Sequence, residues 1–176
     1  MIAPSPYELS SQPEVREAGS AKALSADNPG VIAPPPLLYG LAFLVGAVLH
    51  SLFPTPIVAP NVAAGIGLTL LCIGAVLAVW SRRTMEGAST NVNPSLPATT
   101  LVISGPFQFS RNPMYLARTL LYLGLGFLAN ALSVVLALVP LLVVIHHGVI
   151  KREERYLEAK FGDSYRQYRA AVRRWL

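Results

Sequence analysis

The sequence predicts an all-α polytopic membrane protein with about four transmembrane helices and a C-terminal amphipathic helix on the cytoplasmic side. Three observations predict it. Of the 176 residues, 53% are hydrophobic and 13% charged, whereas ordinary soluble domains carry about 25% charged residues. The charges are also segregated, with no Asp, Glu, Lys or Arg between Asn28 and Ser81 or between Thr119 and Ile150. Finally, these charge-free stretches are long enough for helices of the roughly 20 apolar residues that cross a bilayer. Burying them in a soluble protein would take a polar shell that a chain of this length does not have.

Residues 1–36 are rich in Pro, Ser, Ala and Glu and have no sustained periodicity, which reads as a flexible tail. The tail has acidic residues and no early apolar core, so it is not read as a secretory signal peptide. A transmembrane hairpin is expected over 37–84. Its first span runs from Leu37 to Phe53, an uncharged Pro-rich turn follows, and the second span runs from Asn61 to Trp80, with Arg82 and Arg83 just beyond. Residues 85–176 hold the rest: a polar connector from Met85 to Ser110, spans over Met114–Ala129 and Leu132–Ile150, and a charged helical tail. Asn130 marks a tight turn between those spans, Pro140 should kink the last one, and Gly162 is a stop for the helix that follows. Beyond it Tyr165, Tyr168, Val172 and Trp175 share one face, as on a helix lying along the membrane surface.

Orientation follows from the basic residues. With four spans, every Lys and Arg lands on the side of the termini, which the positive-inside rule makes the cytoplasm of a cell inner membrane. The net charge of +5 is therefore a topology signal, and nucleic acid is not an expected partner. Cys72 is the single cysteine and lies in an apolar segment, so it forms no intrachain disulfide. His146 and His147 have no third ligand at metal-site spacing, and no metal site is read. Gly124-Leu-Gly-Phe-Leu-Ala129 fits GxGxxA by letters but follows no strand, so its small residues are assigned to close helix packing. Nothing in the sequence specifies an oligomeric state.

The candidate chemistry gathers at one membrane edge. In Ser104-Gly-Pro-Phe-Gln-Phe-Ser-Arg-Asn-Pro-Met-Tyr115, Pro113 suits the first turn of a helix and Asn112 its N-cap. The helix start then presents backbone N–H groups, with Arg111 beside them, to an anion or polar ligand. Glu153 and Glu154 follow the last span. Adjacent helical residues diverge by about 100°, so one carboxylate can face a ligand while the other pairs with a nearby cation. A solvated charge cluster is the plainer alternative for this pair.

Gly105-Pro-Phe, Ser110-Arg-Asn-Pro-Met-Tyr115, a helical hairpin, Glu153-Glu154-x-x-Leu157 and Phe161-Gly162-x-x-Tyr165-x-x-Tyr168 together resemble the membrane methyltransferases. These comprise the isoprenylcysteine carboxyl methyltransferases and the phospholipid N-methyltransferases, and the likeness runs from about Thr99 to Trp175. The family's Arg-His-Pro is here Arg111-Asn112-Pro113, similar to the phospholipid branch. The usual Gly two residues after the Tyr is Ala117, and an Arg of the prenylcysteine enzymes falls near Val149. The resemblance implies methyl transfer from S-adenosyl-L-methionine to a lipid or lipid-linked acceptor, by O- or N-methylation at the cytoplasmic face. It implies catalytic roles for Arg111 and Glu154, and cofactor contacts from Thr100, Leu101, Val102, Phe107, Asn112, Pro113, Met114, Tyr115, Glu153 and Glu154. Two other readings stand beside it: an NADPH-dependent membrane reductase of related fold, and a non-catalytic membrane protein.

Overall fold

The computed structural model describes residues 29–93 and 96–175, and the described residues are helical or irregular, with no strand. Most of the expected N-terminal tail, residues 1–28, lies outside the described residues. Helix α1 spans Pro35–Leu52 and α2 Pro60–Gly87. A short 3-10 turn over Gly105–Gln108 leads to α3, Pro113–Leu128. Helix α4, Leu132–Ile145, runs without a break through a π-helical turn, His146–Ile150, into α5, Lys151–Phe161. Helix α6 spans Asp163–Ala171.

Three of these helical stretches are long and apolar enough to cross a membrane: α1, α2 and the continuous helix 132–161. Helix α3 has 16 residues, about 24 Å at 1.5 Å per residue, against a hydrocarbon core of about 30 Å. It is the shortest of the four expected spans and is matched to the bilayer only with its polar flanks. Helix α2 outlasts the expected span, because no Gly or Pro occurs between Trp80 and Gly87 and Arg82 pairs with Glu86 one turn on, at 2.7 Å. The apolar part of the 132–161 helix ends at Ile150, and Lys151 to Arg155 are all charged. Leu44, Val48, Val76, Val139 and Val143 are exposed on the outside of the bundle, as side chains facing lipid should be.

Packing pairs the helices across the chain, α2 against α3 and α1 against α4. Small residues make this possible. A Cβ on Gly124 would come within 2.9 Å of the Gly67 carbonyl oxygen, and one on Gly46 within 2.6 Å of the Val134 Cα. Ala117 is fully buried, and its carbonyl oxygen lies 3.1 Å from where a Gly74 Cβ would stand. Tyr39, Tyr115, Tyr122, Val134, Leu138, Leu141 and Ile145 form the core. Its tyrosines keep their hydroxyls satisfied: Tyr122 donates to the Val134 carbonyl at 2.9 Å, and Tyr39 lies 3.0 Å from the Thr119 hydroxyl.

The Asn130 turn forms as expected, in detail the sequence did not show. Asn130 adopts φ +48°, accepts from the Ile57 and Val58 amides and donates to the Val58 carbonyl. It thereby ties the α1–α2 loop to the α3–α4 turn. Pro140 lies inside α4 on its exposed side.

Candidate active site

A cleft of about 950 Å³, counting its open mouth, lies at the charged end of the bundle between α3, α5, α6 and the α2–α3 connector. Each wall has a local cause. Gly105 takes φ +58° where a Cβ would stand 2.8 Å from the Thr84 hydroxyl, so a bulkier residue would push the Gly-Pro-Phe turn off α2. The connector folds on itself: the Thr99 hydroxyl donates to the Ser89 carbonyl at 2.6 Å, and the Thr99 amide to the Thr90 hydroxyl at 3.1 Å. The Tyr156 hydroxyl of α5 accepts the Ala98 amide at 3.0 Å and so anchors the connector over the cleft. Gly162, at φ +54°, ends α5 and turns the chain into α6. Tyr165 and Tyr168 are thereby brought into the cleft wall, and the Tyr168 hydroxyl donates to the Phe107 carbonyl at 2.7 Å.

All eleven residues singled out in the sequence line this one cleft: Thr100, Leu101, Val102, Phe107, Arg111, Asn112, Pro113, Met114, Tyr115, Glu153 and Glu154. The arrangement differs from the expectations in two places. Asn112 occupies the N-cap position of α3, but its side chain makes no capping hydrogen bond. It donates instead to the Arg174 carbonyl at 2.9 Å, while its own amide donates to the Ser110 hydroxyl at 3.1 Å. Helix α6 ends at Ala171, so Val172 and Trp175 lie beyond it in an extended segment. That segment packs onto the site: the Arg111 amide donates to the Arg173 carbonyl at 2.9 Å, and Trp175 rests against the core. The expected face of Tyr165, Tyr168, Val172 and Trp175 therefore divides, its tyrosines facing the cleft rather than the membrane surface.

The two glutamates have separate environments. Glu154 is buried and doubly clamped: Arg174 donates to both its carboxylate oxygens at 2.9 and 2.7 Å, and Arg111 Nη1 lies in ion-pair contact at 3.0 Å. Glu153 has no cation within ion-pair distance among the described residues; it accepts from the Tyr115 hydroxyl at 2.7 Å. Burial pushes its acid up to about 7, against the opposing pull of the Tyr115 hydrogen bond and the Arg118 charge. A carboxyl group so placed exchanges its proton near neutral pH. Arg111 is nine-tenths buried; its Nε makes no hydrogen bond, and its Nη1, although 3.0 Å from the Glu154 carboxylate, is not aligned to make one. A desolvated donor of this kind favours an anion or carbonyl oxygen.

Three lining or closing residues escaped the sequence reading. Arg174 lies in a stretch with several basic residues, and no motif singles it out. Tyr156 lay outside any motif. Arg118 sits in an apolar helix, and its spacing three residues after Tyr115 was the available signal for a second residue on the cleft face of α3.

The profile of the phospholipid methyltransferase family matches residues 62–164, which hold α2 through α5 and nearly the whole cleft. The chain belongs to the phospholipid methyltransferase family. An uncharacterised protein of Haemophilus influenzae is 47% identical over 64 residues, which is 36% of this chain and all of that protein. The cobalt-zinc-cadmium resistance protein CzcN of Cupriavidus metallidurans is 30% identical over 98 residues, 56% of this chain and 40% of that protein. This phospholipid methyltransferase family member thus spans the whole of the first relative and less than half of the second. No solved structure matches it at a significant level. Among its described residues, no group of three or more His, Cys, Asp or Glu is placed to hold a metal ion.

Proposed function

We propose that this chain transfers the methyl group of S-adenosyl-L-methionine to a lipid or lipid-linked acceptor, forming an O- or N-methyl product at the membrane surface. The observation that carries this reading is the opposition of Glu153, a carboxylate without a cation, and Arg111, a buried guanidinium with open donors, in one aromatic-walled cleft. The donor set fits the cofactor's own charges. Glu153 suits its ammonium, Arg111 suits its carboxylate, and Phe107, Met114 and Tyr115 provide apolar surface for its adenine. When bound, the cofactor supplies a methyl group already activated on a sulfonium.

The protein's share of the work is then mostly positioning, worth up to about 7–11 kcal/mol in well-oriented reactions. Glu154 acts through Arg111: clamped by Arg174, it fixes the guanidinium within the cleft. The connector, pinned by Tyr156, and the α6 tyrosines wall the cleft from water. The basic residues of the α2 end, α5 and α6 gather at the cleft end of the bundle, which the positive-inside rule assigns to the cytoplasm of an inner membrane, with both termini on that side.

Thermal unfolding of the detergent-purified protein tests this reading, with S-adenosylmethionine, S-adenosylhomocysteine and NADPH as separate additions. A ligand at 100 times its Kd stabilises by about 2.7 kcal/mol. Stabilisation by the adenosyl ligands, lost in Glu153→Gln, is expected. Stabilisation by NADPH alone would replace the proposal with a reductase. A well-folded protein indifferent to all three would not be an enzyme of this kind.

A further inference from the structure

Part of the cleft wall lies outside residues 62–164, the stretch matched to the family. It comes from the segment leading into α1, whose Pro29 lines the cleft. This segment is strapped across the π-helical turn. The Ile32 amide donates to the Gly148 carbonyl at 3.4 Å, Arg152 donates to the Gly30 carbonyl at 2.7 Å, and Val31 packs against the core. The Ile32 side chain lies over Gly148, where a Cβ would run into its Cδ1 and stand 2.9 Å from its Cγ1. That seat accounts for a glycine that helix formation alone disfavours, since Gly is costlier than Ala inside a helix. Beyond Ile32 the chain turns at Gly30, which takes φ +58°. On the other side Pro35 is buried at the start of α1, and the Leu37 amide donates to the Pro34 carbonyl at 3.0 Å. The strap thus crosses the helix between Gly148 and Arg152, and Arg152 immediately precedes Glu153.

We infer that Ile32 is a positioning residue for ligand binding: seated on Gly148, it holds Pro29 as the wall that closes the Glu153 end of the cleft over the amino-acid part of an adenosyl ligand. The inference rests on the methyl-transfer reading for the identity of the ligand, whereas the seat of Ile32 stands on the geometry alone. An apolar wall at that end matters because the contact there joins an ammonium to a carboxylate. Such a pair strengthens as water is excluded from it. The adenosine part of the ligand lies toward Phe107, Met114 and Tyr115 in the same reading, and so does not depend on the strap.

The test measures calorimetric binding of two probes to the full-length detergent-purified protein: S-adenosylhomocysteine, which carries the amino-acid part, and methylthioadenosine, which lacks it. Gly148→Ala should weaken S-adenosylhomocysteine about fivefold or more and leave methylthioadenosine nearly unchanged. Its melting temperature should equal or exceed the parent's, because Ala favours the helix. Adding Ile32→Ala to Gly148→Ala makes room for the new methyl group and should restore most of the lost affinity. A readout without ligand runs beside it, in a Cys72→Ser background. The thiol introduced by Pro29→Cys should react faster with a water-soluble maleimide when Gly148→Ala is present, and slow again when Ile32→Ala is added. Unchanged S-adenosylhomocysteine affinity in Gly148→Ala would overturn the inference, as would an equal loss of both probes or unchanged labelling. Failure of the double variant to recover would place the effect in the helix rather than the strap and overturn it too. Failure of the parent to bind either probe would sink the methyl-transfer reading and the shielding role with it, while the labelling rates decide the seat of Ile32 on their own.

Discussion

Glu153 and Glu154 are neighbours in sequence with opposite physical duties, and substitution should separate them. Glu154→Ala leaves Arg111 and Arg174 facing each other without their shared carboxylate, a loss of about 3–5 kcal/mol for a buried pair deprived of one partner. Thermal or denaturant unfolding should register it without any ligand present. Glu153→Gln removes a poorly solvated carboxylate, so the ligand-free protein should melt at or above the parent temperature at pH 8. The pH dependence follows from the same group. Its acid is raised in the folded protein, so the folded chain holds more protons than the unfolded chain from the ordinary carboxyl range up to about pH 7. Stability therefore falls as pH rises through that window and levels off above it. Adenosyl-ligand affinity runs the other way, weakening about tenfold per pH unit well below 7 as the carboxylate is lost. Calorimetry at pH 6 and 8 should show this, and Glu153→Gln should flatten it.

At the scale of elements, contact between helices rests on missing side chains. Gly67 and Gly124 let α2 and α3 approach so closely that either Cβ would fall within 3 Å of backbone on the partner. Gly124→Val should cost at least the 1–3 kcal/mol typical of overpacking, read as a lower unfolding temperature. A second consequence should be weaker cofactor binding, since α3 carries Arg111, Asn112 and Tyr115 at its start. This layer was largely legible in the sequence. Charge-free runs located the spans, and the small residues of Gly124–Ala129 marked a close crossing, because both signals are local. The pairing of α1 with α4 was not legible, because nothing in Leu37–Phe53 distinguishes one apolar neighbour from another. The π turn at His146–Ile150 was equally hidden. It is a matter of helix winding under tertiary packing, and it leads directly into the turn of α5 that carries both glutamates.

At the scale of the whole molecule, the site is a joint between distant parts of the chain. The eleven residues chosen from sequence do share a cleft, since motifs at α3 and α5 report local chemistry that any such site needs. Their partners were the illegible part: Arg174 clamps Glu154, and the Arg174 carbonyl takes the Asn112 amide that sequence reading had assigned to a helix cap. Such long-range hydrogen bonds leave no spacing to read. The dependence is testable. A chain ended at Ala171 should keep its helical circular dichroism while losing at least tenfold in adenosyl-ligand affinity, because Arg111, Asn112 and Glu154 would all lose their anchors together. Undiminished affinity would show that the extended segment merely decorates the site.

That closing segment also sets an order of events during biosynthesis. Residues 110–112 leave the ribosome more than sixty residues before residues 173–174, which they grip. All four apolar helices can therefore enter the bilayer while the cleft still lacks one wall. The cleft of a newly inserted chain is thus incomplete until residues 173–174 arrive to close it.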